Sequence, residues 1–256
     1  MTWLDSIILG VLEGVTEFLP VSSTGHLVLA SQLLGLTPGT FLSSFQIAIQ
    51  LGAIAAVVFL YWKSFLDFRF LTKLFVAFIP TGLVGFLVYP YVKGFLLGNS
   101  MVVVASLFLG GIVLILFELF YKETSESAES ARQITYGQAL LVGCFQSIAI
   151  IPGVSRSAAT IIGGLLVGMR RVAIVEFSFL LAVPTMMAAT GYDLLKSHDT
   201  FAFDQVGLLA LGFLTAFVVA LLSMRFLLAL VRRHTFIPFG IYRIVLAVAF
   251  FLIVLR

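Results

Sequence analysis

Glu13 and Glu17 stand four residues apart in LEGVTEFLPVSSTGHL, residues 12–27, so a helix through them presents both carboxylates on one face. An acid inside an apolar segment costs about 2.5–3.5 kcal/mol on insertion scales, and two like charges repel unless a cation lies between them or one is protonated. Hard oxygen pairs suit Mg²⁺ or Ca²⁺ and leave coordination for phosphate oxygens and water. Glu13 and Glu17 are therefore the expected ligands of a divalent metal, with carboxylates snorkelling to an interface as the plainer alternative. Pro20 then stops the helix, and Ser22, Ser23 and Thr24 can cap the next one, whose first turn holds Gly25 and His26. The free N–H groups and the dipole of a capped helix start favour an anion. Membrane hydroxyls also serve close packing, and a histidine can simply be hydrogen-bonded in the interior. Three hydroxyls beside a proline break favour the anion site, with His26 as an acid/base or phosphate-contacting group.

A second stretch, IPGVSRSAATIIGG at 151–164, repeats the device. Pro152 and Gly153 break the chain, Ser155 can cap, and Arg156 falls in the first turn of the following helix. A guanidinium facing lipid is costly, so Arg156 should face a polar cavity and hold an anion there. Its planar fork grips phosphate bidentately. Ser157 and Thr160 add hydroxyls on nearby turns. The competing structural role is a salt bridge from Arg156 to Glu17.

These residues need elements to carry them, and composition names the medium. Of 256 residues, 61% are hydrophobic and only 11% charged, with mean hydropathy +1.16, which marks an integral membrane protein. Stretches of spanning length, roughly 20 residues, occur at about 45–62, 74–92, 101–121, 172–195, 205–231 and 236–255. Two further apolar regions, 1–35 and 137–169, are broken near their middles by Pro and Ser, which fits hairpins that enter and leave on one side. The expected fold is all-α and polytopic, a single membrane domain of six transmembrane helices and two re-entrant helical hairpins. The hairpins align with each other: Gly10, Glu13, Glu17, Val21 and Ser22 lie over Gly143, Gln146, Ile150, Val154 and Ser155. Each copy is followed by an odd number of spans, so the halves, about 1–121 and 137–256, should form an inverted-topology repeat converging at mid-depth. The polar stretch KETSESAESARQITY, 122–136, reads as the loop that joins them.

With both hairpins re-entrant, Lys63, Arg69, Lys73, Lys122, Arg132, Arg170, Arg171, Arg225, Arg232 and Arg233 share one side, against Lys93, Lys196 and Arg256 on the other. The positive-inside rule makes the first side cytoplasmic and turns both termini outward. Arg156 and Arg243 belong to neither. Trp3, Trp62, Tyr89, Tyr91, Tyr121 and Tyr192 fall at helix ends, as interfacial aromatics do. No Lys or Arg precedes Lys63, so no cationic leader is expected. Cys144 is the one cysteine, which excludes an intrachain disulfide. The net charge of +3 reflects cytoplasmic loops and implies no nucleic acid.

The pair Glu13-x-x-x-Glu17 followed by FLPVSSTGH, with PGVSRSAAT in the second half, resembles the undecaprenyl-diphosphatase family, the bacitracin-resistance type of membrane lipid phosphatase. The resemblance covers essentially the whole chain. It implies a plasma-membrane hydrolase that removes one phosphate from undecaprenyl diphosphate at the outer face, recycling the lipid carrier for peptidoglycan synthesis and conferring bacitracin resistance. It puts the family's acidic pair on Glu13 and Glu17, its serine and histidine on Ser23 and His26, and its phosphate-gripping motif on Ser155, Arg156 and Thr160. The expected catalytic group is then Glu17, Ser23, His26 and Arg156, with Ser22, Thr24, Ser155, Ser157 and Thr160 assisting Arg156 in binding substrate. The attacking atom stays open between Ser23, His26 and a water. The acidic pair has no counterpart in the second half, where Gln146 and Ile150 stand. Self-association into a homodimer is compatible with this reading. The rival class is an inverted-repeat transporter or flippase of a prenyl phosphate or other anion. A metal-ion carrier built on Glu13 and Glu17 is weaker, since Arg156 would repel its cargo.

Overall fold

The computed structural model describes residues 1–37, 39–91, 99–122, 130–196 and 205–255. Among these residues there is no strand; the regular elements are α1 Trp3–Thr16, α2 Ser23–Leu33, α3 Thr40–Tyr61, α4 Phe68–Tyr91, α5 Ser100–Phe120, α6 Tyr136–Ser147, α7 Arg156–Leu166, α8 Arg171–Lys196, α9 Val206–Val231 and α10 Ile237–Phe250, with short helical turns between some of them. Among the described residues five helices are long and apolar enough to cross a membrane: Thr40–Leu66, Phe68–Val88, Ser100–Phe120, Arg171–Tyr192 and Val206–Val231. The sixth expected span, 236–255, contains the apolar helix Ile237–Ile253, which is shorter than these. Its start is fixed by Pro238, which is tolerated in a first turn because its missing N–H would have no partner there. Helices α3 and α4 begin earlier than the hydropathy pattern suggests. Thr40, Ser43, Arg69 and Lys73 depress hydropathy without opposing a helix.

Both broken segments form two short helices around a bend, α1 and α2 about Pro20, α6 and α7 about Pro152 and Gly153. Each first helix leans on a long helix of the other half. A Cβ at Gly10 would stand 2.9 Å from the Gly212 carbonyl, and one at Gly14 would stand 2.7 Å from Val219 Cβ, so α1 lies directly on the small-residue face of α9. A Cβ at Gly143 would stand 2.0 Å from the Ala77 carbonyl, which puts α6 equally close to α4. Small residues are what allow membrane helices this approach. Of the five long helices α8 is the most buried, packed against α3, α4 and α7. Its Phe179 meets Phe18, just after α1, edge to face at 5.3 Å between ring centroids.

At the far end, Glu118 of α5 receives both terminal nitrogens of the Arg171 guanidinium and the backbone N–H of Phe236, tying the starts of α8 and α10 to the end of α5. Nearby, Ala131 and Ile134 are buried and Lys73 Nζ donates to the Arg132 carbonyl at 2.8 Å, so this end of the polar connection is docked on the helices. The rest of that connection, 123–129, lies outside the described residues, as do 92–98 and 197–204, which hold most of the two loops expected to face outward. Trp3, Trp62 and Tyr91 are exposed on the surface, as interfacial residues should be.

Candidate active site

The two bends end in the same unusual way. Ser22 (φ 71°) and Ser155 (φ 77°) are the only non-glycine residues with positive φ among the described residues. Such a conformation costs about 1–3 kcal/mol and persists only where the surroundings impose it. Each serine is the N-cap of its helix: Ser22 Oγ accepts from Gly25 N at 3.4 Å, and Ser155 Oγ from Ala158 N at 3.2 Å. Ser23 and Arg156 consequently become the first residues of α2 and α7. On the approach to the first bend, the Glu17 N–H donates to the Glu13 carbonyl at 2.9 Å, preserving helical spacing between the two acids.

A cavity of about 240 Å³ opens between the bends. Glu17, Ser22, Ser23 and Thr24 line it from the first hairpin, Ala149, Pro152, Gly153, Ser155 and Arg156 from the second, and Gln50, Met186 and Ala189 from the helices around. Ser23 Oγ donates to Glu17 Oε2 at 2.5 Å. Arg156 Nη2 donates to Glu17 Oε1 at 3.1 Å, and Nη1 to the Ser178 carbonyl at 2.9 Å. The salt bridge weighed as an alternative role for Arg156 is therefore formed. Opposite charges facing one small cavity meet because each is the other's nearest source of neutralisation. Arg156 Nε remains buried and without a hydrogen-bond partner, so the guanidinium keeps capacity for another acceptor.

Four of the expected residues, Glu13, His26, Ser157 and Thr160, lie off the cavity wall. His26 is buried, with Nδ1 2.7 Å from the Ser22 carbonyl and Nε2 2.7 Å from the Tyr242 hydroxyl, its ring stacked parallel on the tyrosine. A carbonyl only accepts, so Nδ1 carries the proton, and the histidine braces the strained cap from behind. Thr160 Oγ1 lies 3.0 Å from the carbonyls of Arg156 and Ser157 and 2.6 Å from Ser178 Oγ. Ser157 is buried, 3.5 Å from Ser155 Oγ. Both support the turn that carries Arg156. Sequence reasoning passed over Ser178, which anchors Arg156 through its carbonyl and Thr160 through its hydroxyl. Its signal was a lone hydroxyl in the apolar run of α8.

Alongside the polar cavity runs an apolar one of about 390 Å³, which shares Ala149, Arg156 and Ala189 with it. Phe78, Gly82, Gly85 and Phe86 of α4 face Ile150, Thr185 and Ala188 across it.

A polar, cation-bearing pocket beside an apolar groove, with Arg156 on the wall of both, suits an amphiphile with an anionic head. The family model described as bacitracin resistance protein BacA matches residues 6–249. The chain belongs to this family. Relatives named undecaprenyl-diphosphatase include those of Sulfurihydrogenibium sp. (strain YO3AOP1), 49% identical over 98% of this chain and 99% of the relative, and Persephonella marina, 52% identical over the same shares. That of Aquifex aeolicus is 47% identical over 98% of this chain and 100% of the relative.

In this BacA-family chain the described residues contain no group of three or more His, Cys, Asp or Glu that could hold a metal by themselves. What they offer is Glu13, wholly buried with both carboxylate oxygens unpartnered, one turn from Glu17. A buried carboxylate in that state lacks the partners its charge requires. An all-oxygen pair that leaves most of the coordination to water and phosphate fits Mg²⁺ or Ca²⁺.

Proposed function

We propose that the chain hydrolyses undecaprenyl diphosphate to undecaprenyl phosphate and inorganic phosphate at the outer face of the bacterial plasma membrane. The carrier so returned to cell-wall synthesis accounts for bacitracin resistance. One observation carries the reading: an acid and a hydroxyl 2.5 Å apart, Glu17 and Ser23, meet a buried guanidinium with an unpartnered Nε in one cavity. The family and the names of its members supply the substrate. The diphosphate head occupies the cavity between the two helix starts, and the prenyl tail leaves through the apolar groove between α4 and α8.

Ser23 Oγ attacks the terminal phosphorus while its proton passes to Glu17 Oε2. The new Oγ–P bond replaces the bond to the bridging oxygen, and undecaprenyl phosphate leaves with the electron pair and, from Glu17, the proton. Glu17 then takes a proton from water, whose oxygen attacks the phosphoserine; inorganic phosphate departs and Ser23 recovers its hydrogen. Arg156 and the N–H groups of the two helix starts hold the negative charge that develops on the phosphoryl oxygens. His26 acts here through the Ser22 carbonyl. Glu13 and Glu17 would hold a divalent cation, which when bound would add to the neutralisation of the diphosphate.

In the membrane, the five long helices and Ile237–Ile253 form six crossings, and the two broken hairpins re-enter from opposite sides. Both termini face outward. In a Cys144→Ser background, a cysteine placed at Ser100 should react with an impermeant thiol reagent in intact cells; protection would reverse the orientation.

The decisive assay is phosphate release from a prenyl diphosphate by purified protein in detergent, where transport has no meaning. Release should occur, stop in EDTA and return with Mg²⁺ or Ca²⁺. Absence of release under every metal condition would leave the transporter reading. Full activity in chelator would remove the metal.

A further inference from the structure

Arg243, near the middle of α10, is the largest wholly buried side chain among the described residues. A guanidinium has five N–H donors in one plane. Here all five are directed at main-chain carbonyls. Nε donates to Leu107 at 3.4 Å, Nη1 to Pro20 at 3.4 Å and Val154 at 3.0 Å, and Nη2 to Ser106 and Gly153, both at 3.0 Å. Among the described residues no carboxylate forms an ion pair with it.

The identity of those carbonyls is informative. Pro20 lies in the first bend, Gly153 and Val154 in the second, each just ahead of the strained serine that caps the next helix. Ser106 and Leu107 belong to α5, which runs behind both bends. A bend that leaves the helical ladder frees its carbonyls, and inside a membrane protein they must find donors within the protein. One side chain supplies them for both bends at once. Helix α5 is bare where it passes: a Cβ at Gly110 would stand 2.1 Å from Arg243 Nη2.

We propose that Arg243 is a positioning residue for the hydrolysis, whose guanidinium pins the two bends to each other and to α5 so that Ser23 and Arg156 reach the same phosphate. The proposal rests on the reading of the cavity as the active site. Pro20 and Gly153 sit on opposite hairpins, and Gly153 is also part of the cavity wall. A shift of one bend against the other therefore moves the attacking oxygen relative to the cation that holds its target. Misplacement of reacting groups by about 1 Å can cost on the order of 10²-fold in rate. Lysine would keep the charge but has three donors at a point and cannot span carbonyls spread around a plane.

Arg243→Lys and Gly110→Ala test this together, the second leaving Arg243 in place and pushing its fork aside. Glu118→Gln, which weakens the buried Arg171 clamp away from the cavity, serves as control. The readouts are kcat and KM for a prenyl diphosphate, measured on monodisperse protein in detergent, and the melting temperature. Both test variants should lose about ten- to a hundred-fold in kcat with KM within about threefold, as alignment rather than charge is lost. The control should melt earlier with kcat unchanged. The proposal is overturned if either folded test variant keeps kcat within twofold of wild type, or if the loss falls on KM alone. It is also overturned if both test variants fail to fold while the control folds, which would make Arg243 a determinant of the fold only. Should Ser23→Ala and Arg156→Lys prove fully active, it is the cavity reading that fails. A silent Arg243→Lys beside inactive Ser23 and Arg156 variants refutes Arg243 alone.

Discussion

The two broken hairpins share a backbone and bring different side chains to one cavity. Both bends carry a serine at positive φ that caps the following helix through the N–H three residues on, Gly25 in one and Ala158 in the other. At the next position the first hairpin has Ser23 and the second Arg156; where the first has Glu13 and Glu17, the second has Gln146 and Ile150. Gln146 Nε2 donates to the hydroxyls of Thr81 and Thr185 at 2.9 and 3.1 Å, so a neutral network occupies the place that charge takes in the other copy. What is duplicated is the capped helix start, one on either side of the cavity. What is not duplicated is the set of side chains brought there. On the proposed mechanism, an acid, a hydroxyl and a cation divided between two helix starts meet at one phosphate only if the starts are held in register.

The largest effect that would sharpen this division is at Ser23. If the first hairpin supplies the nucleophile, Ser23→Ala should lower kcat by on the order of 10³-fold or more, as loss of a covalent nucleophile does. Rapid acid quench of the wild type with terminally labelled substrate should trap phosphate on serine. A variant that keeps a tenth of wild-type turnover, within the reach of one lost hydrogen bond of ~1 kcal/mol, would leave Ser23 as a binding group and pass the attack to water.

A smaller change tests the other half. Arg156→Lys keeps the charge but loses the fork that bonds Glu17 and the Ser178 carbonyl together. A charge-assisted hydrogen bond contributes ~1.5–3 kcal/mol, so kcat/KM should fall roughly ten- to a hundred-fold while the protein still folds. An unchanged kcat/KM would reduce Arg156 to the ion-pair partner of Glu17 and remove the second hairpin from the chemistry.

The parts of this site written in local rules were legible in the sequence. Proline breaks at Pro20 and Pro152, capping by Ser22 and Ser155, and Arg156 in a first turn each depend on a few neighbouring residues. The meeting of Glu17 and Arg156 was legible as one of two fates for buried charges, since each needs a partner and the chain offers few. The directions of His26 and Thr160 were not. Whether a residue in the first turn of α2 faces the cavity or Tyr242 depends on how α2 rests against α10, and spacing carries no record of that. Arg243 was visible as an intramembrane cation without a side of the membrane. Its partners are carbonyls freed by bends far away in the chain, and main-chain acceptors leave no trace in residue types. The sixth expected span, 236–255, was legible as an apolar helix, found at Ile237–Ile253, shorter than the five long ones.

The smallest effect concerns the caps, where the hairpins should behave alike. Ser22→Gly and Ser155→Gly each remove one cavity hydroxyl, worth up to about tenfold in kcat/KM for ~1 kcal/mol. Each also relieves the cost of a side chain at positive φ, because glycine adopts that region freely. Glycine at an N-cap gives up only a few tenths of a kcal/mol relative to serine, whereas alanine loses about 0.5–2 kcal/mol and keeps the strain. Both glycine variants should therefore melt near the wild-type temperature, and the corresponding alanine variants should melt earlier. If the cradle is symmetric, the two glycine variants lose activity by similar factors, since Gly25 N and Ala158 N are left equally free to meet phosphate. A loss at Ser22 exceeding that at Ser155 by more than tenfold would break the equivalence. It would give the first cap a chemical task that its counterpart lacks, with the His26 and Tyr242 pair behind it as the natural place to look for the reason.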